Sequence, residues 1–254
     1  MGTLALAKQT LKEKALNLYV VTGATRGLGQ ALALRIAADP ANRLCTIGRA
    51  PPDATNIEAD LAGAAAIERA CDELVRRIEG ATFGRAVLFN NAGVIAPVGP
   101  LEKVDGAEVE RNLVVNFVAP ILLMRRFLQA TSHVALRRIV NVSSGAARRP
   151  IFGWGAYCAA KAGLDMASRV VALEAAERGL AIEVSSLAPG VIDTPMQATV
   201  RAAPAEDFID LERFKAMKAE GTLRPADEVA ADILRLEAEG RLAGDPIQDL
   251  RQLA

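Results

Sequence analysis

Short apolar runs alternate with stretches of helical spacing along most of the chain. Leu16 to Val21 is an apolar, β-rich run that breaks at Thr22-Gly23, and from Gly27 the apolar positions recur at helical intervals through Ala38. Asp39-Pro40 stops that helix, and Arg43 to Ile47 predicts a second strand. The alternation continues with helices expected at about 62–79, 105–130, 155–178 and 226–239, and strands at 85–90, 138–142 and 181–187. Strands apolar along their length are buried on both faces, and the intervening helices are long enough to cross over between parallel neighbours. The pattern predicts an α/β fold, a Rossmann-type doubly wound parallel sheet in a single domain.

Length agrees, since 254 residues is near the upper limit for one hydrophobic core. Two segments escape the alternation. Residues 1–16 mix Lys8, Lys12, Glu13 and Lys14 into a short apolar pattern and read as an N-terminal extension, without the long h-region or cleavage site of a secretory signal. Asp193 to Leu223, with Pro195 and Pro204, is too long for an ordinary connection and is expected to be a substrate lid, a plain surface excursion being the alternative.

Composition narrows the chemistry. Lys plus Arg equals Asp plus Glu at 30 each, so no charge excess favours a nucleic-acid partner. Three cysteines without metal-ligand spacing and a single histidine, His133, supply neither a zinc site nor Ser-His catalysis, and no metal is expected. His133, near a helix end, reads as a solvated or capping residue. Free thiols suit a reducing, cytoplasmic compartment, and no uninterrupted apolar stretch approaches the ~20 residues of a membrane span.

Gly23, Gly27 and Gly29 lie between the first strand and the first helix, in Thr22-Gly23-Ala24-Thr25-Arg26-Gly27-Leu28-Gly29. Glycines there let backbone approach a pyrophosphate while the helix N-terminus faces its charge. A purely structural turn gives the same spacing, but its place after the first strand favours a dinucleotide. The second strand runs into Gly48-Arg49 with no carboxylate to bind a ribose 2′-hydroxyl. Arg49 and Arg26 would instead bracket a 2′-phosphate, which selects NADP(H) over NAD.

Tyr157 and Lys161 are four apart at the start of a predicted helix and share one face. A phenol titrates near pH ~10, and a neighbouring ammonium favours its ionised form, so Lys161 is expected to make Tyr157 more acidic. A buried tyrosine beside a solvated lysine fits this spacing equally well until the surrounding motifs are added. Asn141-Val142-Ser143-Ser144 ends the preceding strand, Asn90-Asn91-Ala92-Gly93 follows the strand at 85–90, and Asn116 sits inside the long helix. In identity, order and spacing these segments, with the glycine turn, resemble the short-chain dehydrogenase/reductase family over about residues 18–195.

The resemblance implies roles for particular residues. Tyr157 would be the general acid, Ser144 the hydroxyl holding the carbonyl oxygen, Lys161 the ribose ligand and charge beside Tyr157, and Asn116 the residue placing a water in a proton relay. Thr25, Arg26, Leu28, Asp60, Leu61, Asn91, Ala92 and Gly93 would line the cofactor, as would Pro189, Gly190, Ile192 and Thr194 near the nicotinamide. Asp60 equally suits a helix cap before Ala62. A narrower likeness, to the benzil-reductase and sepiapterin-reductase-like subgroup, rests on Asn90 to Pro97, Phe152 to Cys158 and Pro189 to Gln197. It implies NADPH-dependent reduction of an aromatic ketone or vicinal diketone, with Ile95, Phe152 and Trp154 as pocket walls; simple packing is the alternative for Trp154. An oxidative alcohol dehydrogenase and a non-catalytic NADP(H)-binding regulator remain open. The partners expected are a small carbonyl compound and a second copy of the chain, docked through the helices at 105–130 and 155–178.

Overall fold

Every strand predicted from an apolar run is present in the computed structural model, which describes residues 16–51 and 53–253. Apart from Leu16, the N-terminal extension lies outside the described residues. The chain runs β1 (Leu16–Thr22), α1 (Gly27–Ala37), β2 (Asn42–Gly48), β3 (Asn56–Glu58), α2 (Ala64–Ile78), β4 (Phe83–Asn90) and α3 (Gly106–Leu113). A π-helical turn at Val114–Val118 leads into α4 (Ala119–Ala130), followed by β5 (Leu136–Val142), a 3-10 turn at Gly145–Ala147, α5 (Gly155–Glu177) and β6 (Ile182–Ala188). Then come β7 (Ile192–Asp193), α6 (Pro195–Arg201), α7 (Leu211–Ala219), β8 (Arg224–Pro225), α8 (Ala226–Ala238), β9 (Ile247–Asp249) and α9 (Leu250–Leu253).

The seven-stranded sheet has the order β3-β2-β1-β4-β5-β6-β9, and its pairings are all parallel. Chain direction across the sheet reverses between β1 and β4, which opens a crevice at the C-terminal ends of those strands. Leu18, Val20, Leu88 and Ile139 pack on one face with Leu74 of α2 and Leu123 and Phe127 of α4. Tyr19, Val21, Phe89 and Val140 pack on the other with Leu32 and Ile36 of α1 and Ile233 and Leu236 of α8. Each fully buried Leu, Ile or Phe contributes about 1.5–3 kcal/mol, so the two layers fix the sheet that carries the crevice.

The expected helix at 105–130 forms as one run, with a wider π-helical turn inside it. Pro120 has no N–H to give to the carbonyl four residues back, and the turn before it widens so that the Ala119 N–H reaches Val114 O. The continuous helical run Gly106–Ala130 is long and apolar enough to cross a membrane by length and composition. Its Leu123, Met124 and Phe127 nevertheless belong to the core, and Arg125 and Arg126 ion-pair with Glu68 and Asp72 of α2, as a core helix does.

The segment 193–223, read as irregular from sequence, holds two helices. β7 and β8 pair in parallel at its base, and Phe208 and Phe214 anchor it from above in a small cluster with Trp154 and Tyr157. Periodicity missed α6 and α7 because each is only two turns long and surrounded by charges.

Candidate active site

The crevice is a cavity of about 590 Å³ above the C-terminal ends of β1, β4, β5 and β6. At one end lies the glycine turn. Gly23 adopts φ +67°, and a Cβ there would come within 2.9 Å of the Ala92 backbone. A Cβ on Gly29 would meet Asn91 Nδ2 and Gly23 O at 2.3 Å each. Thr22 Oγ1 accepts from the N–H groups of Asn91 and Ala92, and Asn91 Nδ2 donates to the Thr22 and Gly23 carbonyls, so the turn and the end of β4 form one rigid floor. The first turn of α1 has no side-chain cap, which leaves N–H groups free to face an anion.

Thr25, Arg26, Gly27, Leu28, Arg49, Asp60, Leu61, Asn91, Ala92 and Gly93 line this half of the cavity, and Pro189, Gly190, Ile192 and Thr194 line its far wall, as expected from sequence. Arg26 and Arg49 are exposed at its edge. Asp60 borders the cavity, and its carboxylate accepts from the Ala62 N–H at 3.1 Å in a turn ahead of α2; it does not cap the helix, whose first residue is Ala64. The side chain of Asp60 also ion-pairs with Arg111 at 3.6 Å.

At the other end Ser144, Tyr157 and Lys161 share the cavity wall. Ser144 caps the 3-10 turn by accepting from the Ala146 N–H at 3.1 Å. Tyr157 and Lys161 are 7% and 4% exposed. Lys161 Nζ donates to Val142 O at 2.9 Å and lies 5.7 Å from the centre of the Tyr157 ring. Burial pushes the Tyr157 phenol up to about 12, against a hydrogen bond with Ser144 that lowers it. Burial likewise pushes the Lys161 ammonium down to about 8, against the attraction of Asp165. At Tyr157 loss of hydration outweighs the Ser144 hydrogen bond, and the Lys161 ammonium is held to a carbonyl.

Asn116 lies in the π-turn, fully buried. Its amide accepts from Val94 N at 3.1 Å and donates to Val94 O at 2.8 Å, fixing the segment that follows β4. A Cβ on Gly93 would lie 3.0 Å from Asn116 Oδ1 and 3.9 Å from Lys161 Nζ, so a larger residue there would press on the Asn116 amide. The Asn116 side chain is also engaged by Asn112.

Of the three expected pocket walls, Ile95 and Trp154 line the cavity. Phe152 does not, and is 44% exposed. The intervening Gly153, at φ +79°, turns the chain so tightly that its Cβ would fall 2.2 Å from Asp207 O, sending Trp154 inward and Phe152 out. Trp154 stacks on Phe208 at 5.2 Å and meets the Tyr157 ring edge-on at 5.6 Å, so wall and packing roles coincide. His133 is exposed beyond the end of α4.

A sequence profile described as short chain dehydrogenase matches residues 17–205. The chain belongs to the short-chain dehydrogenase family. This short-chain dehydrogenase is 34% identical over 243 residues to the benzil reductase ((S)-benzoin forming) of Bacillus subtilis (strain 168), covering 93% of this chain and 99% of that one. It is 33% identical over 242 residues to the sepiapterin reductase of Meriones unguiculatus, covering 85% and 89%. The solved structure of the KRED1-Pglu enzyme superposes with a TM-score of 0.75 at 28% identity, covering 87% and 94% of the two chains. The short-chain dehydrogenase is thus an oxidoreductase acting on C=O or CH–OH groups, of a family that binds NAD(P)(H).

Sequence reasoning missed Asp165, one turn beyond Lys161. Its Oδ1 accepts from Ser143 Oγ and Ser186 Oγ, both at 2.6 Å, tying β5 and β6 to α5 behind the cleft. The signal was available as an acid four residues after the lysine on an apolar helix. Gln197, Arg149 and Arg213, which also line the cavity, carried no motif that would single them out.

Proposed function

We propose that the chain is an NADPH-dependent carbonyl reductase acting on an aromatic ketone or vicinal diketone, with Tyr157 as the general acid. The observation that carries this reading is the buried group of Ser144, Tyr157 and Lys161 at the end of a glycine-floored cavity. The cavity's residues fit a dinucleotide. A Cβ at Gly23 or Gly29 would fill the floor, uncapped N–H groups of α1 suit the pyrophosphate, and Arg26 and Arg49 suit a 2′-phosphate.

The bound cofactor would supply hydride to the carbonyl carbon. Ser144 and Tyr157 hydroxyls hold the carbonyl oxygen, and Tyr157 transfers its proton there as negative charge develops. The raised phenol does not prevent this. An alkoxide is the conjugate base of an alcohol, a far weaker acid than a phenol, and so takes the proton from Tyr157 downhill even with the phenol raised by burial. Lys161 holds positive charge beside the phenolate left behind. Trp154 and Phe214, with Phe208 stacked behind Trp154, form a mostly buried aromatic wall that excludes water and suits an aryl substituent. The segment 193–223, which supplies two of those rings, acts as the substrate lid.

Exposed Met166, Val170 and Leu173 on α5 support a homodimer through α4 and α5, and the three free cysteines support a cytoplasmic setting. NADPH consumption against benzil, phenyl diketones, sepiapterin and simple aldehydes tests the function. The reading expects turnover of an aryl ketone or diketone, faster with NADPH than with NADH. Cofactor binding without turnover of any of them would favour a regulator instead.

A further inference from the structure

The cavity carries more positive charge than the proposed cofactor requires. Among the described residues its lining includes six arginines and Lys161 but one carboxylate, Asp60. Arg111 is paired with Asp60 and Arg251 with Asp249, while Arg26 and Arg49 stand at the dinucleotide end. Arg149 and Arg213 are left over. Both are exposed, and neither forms an ion pair with a described residue, although their neighbours Arg148 and Lys215 do.

Both line the cavity on segments that pack around Tyr157, in the cluster that holds Ile151, Trp154 and Phe214. Arg213 adjoins Phe214, whose ring is 5.7 Å from Trp154, which is in turn 5.6 Å from Tyr157. The main-chain oxygen of Arg149 lies 4.0 Å from Sγ of Cys158, the residue after Tyr157. Between them the wall is apolar, built from Ile95, Met196 and Val200. An apolar pocket with unpaired guanidinium groups and no carboxylate of its own attracts an anion on its ligand and repels a cation.

We propose that the substrate is an anionic carbonyl compound, whose carboxylate is held by Arg149 and Arg213 while its ketone reaches Tyr157. This rests on the reductase reading above. The test compares benzil bearing a ring carboxylate with its neutral methyl ester, two diketones of similar size that differ chiefly in charge. The ratio of kcat/KM, charged over neutral, should exceed one in the wild type, by up to about fivefold for each arginine, as one partly exposed ion pair contributes up to about a factor of five. Arg149→Gln and Arg213→Gln should each lower that ratio by up to about fivefold through KM, and added salt should lower it too. A wild-type ratio at or below one, or a ratio the variants leave unaltered, would overturn the proposal. A matching loss of NADPH affinity would also overturn it by assigning the arginines to the cofactor. If neither ketone is reduced, the reductase reading fails separately. Quenching of Trp154, the only tryptophan, by each ketone in the presence of NADP+ then still decides: tighter, salt-sensitive binding of the carboxylate supports the anionic pocket, and equal or weaker binding rejects it.

Discussion

Two regions of this sheet bury a tyrosine beside cationic side chains, and they treat them oppositely. Toward the N-terminal ends of the strands, Tyr19 Oη donates to Glu237 Oε2 at 2.9 Å, Arg138 donates to Glu237 Oε1 at 2.9 Å and to Glu183 at 2.5 Å, and Arg85 donates to Tyr19 Oη at 2.5 Å. Each guanidinium there has a carboxylate partner. At the C-terminal ends, Lys161 hydrogen-bonds only the Val142 carbonyl among the described residues, while Asp165, one turn on, is engaged by Ser143, Ser186 and Arg148. The first arrangement satisfies its charges and holds β1, β4, β5, β6 and α8 in register. The second leaves an ammonium without a carboxylate hydrogen-bond partner among the described residues, and it is there that the proposed chemistry would lie.

The largest effect that would break this contrast is expected at the paired end. Glu237→Gln strips the only carboxylate shared by Arg85, Arg138 and Tyr19, and should cost about 3 kcal/mol, lowering Tm by about 10 °C, while kcat per folded molecule is retained. A loss of activity in the folded variant would mean that the two regions are not separate.

Lys161→Met should do the reverse. Activity should fall at least a hundredfold, yet the cofactor-free protein should gain about 2 kcal/mol, because burial of the ammonium is relieved at the cost of one hydrogen bond. The pH dependence has a definite sign. Lys161 titrates at about 8 when folded against 10.5 ordinarily, so its burial penalty is fully present below pH 8 and vanishes as pH rises toward 10.5. The Tm advantage of Lys161→Met should therefore shrink across that window, as calorimetry can measure. The smallest change is Arg49→Asp, which should shift preference from NADP toward NAD by about tenfold, read as the ratio of kcat/KM for the two cofactors.

Much of this was legible in the sequence, for reasons that differ by element. β1, β4, β5 and β6 are apolar because both faces are buried, and the helices between them are long enough for their period to show. β3 is three residues long, too short for any period, and the loop before it is set by side chains instead: Asn56 Nδ2 donates to the carbonyls of Ala50 and Pro51. The π-turn at Asn116 keeps the apolar pattern of an ordinary helix, so only Pro120 hinted at it. Ser144, Tyr157 and Lys161 were legible from their motifs, whereas the outward turn of Phe152 depends on Gly153 meeting the Asp207 carbonyl, a contact between residues over fifty apart. The ionisation of Tyr157 and Lys161 was not legible either, since burial, which spacing does not report, sets both.

The central claim is that the site at the C-terminal strand ends performs proton transfer through Tyr157. Its most direct test is Tyr157→Phe, measured for NADPH oxidation with a reducible aryl ketone alongside NADPH affinity and Tm. The account predicts a fall in kcat of about a thousandfold with affinity and Tm nearly unaltered. Turnover within tenfold of the wild type would contradict it.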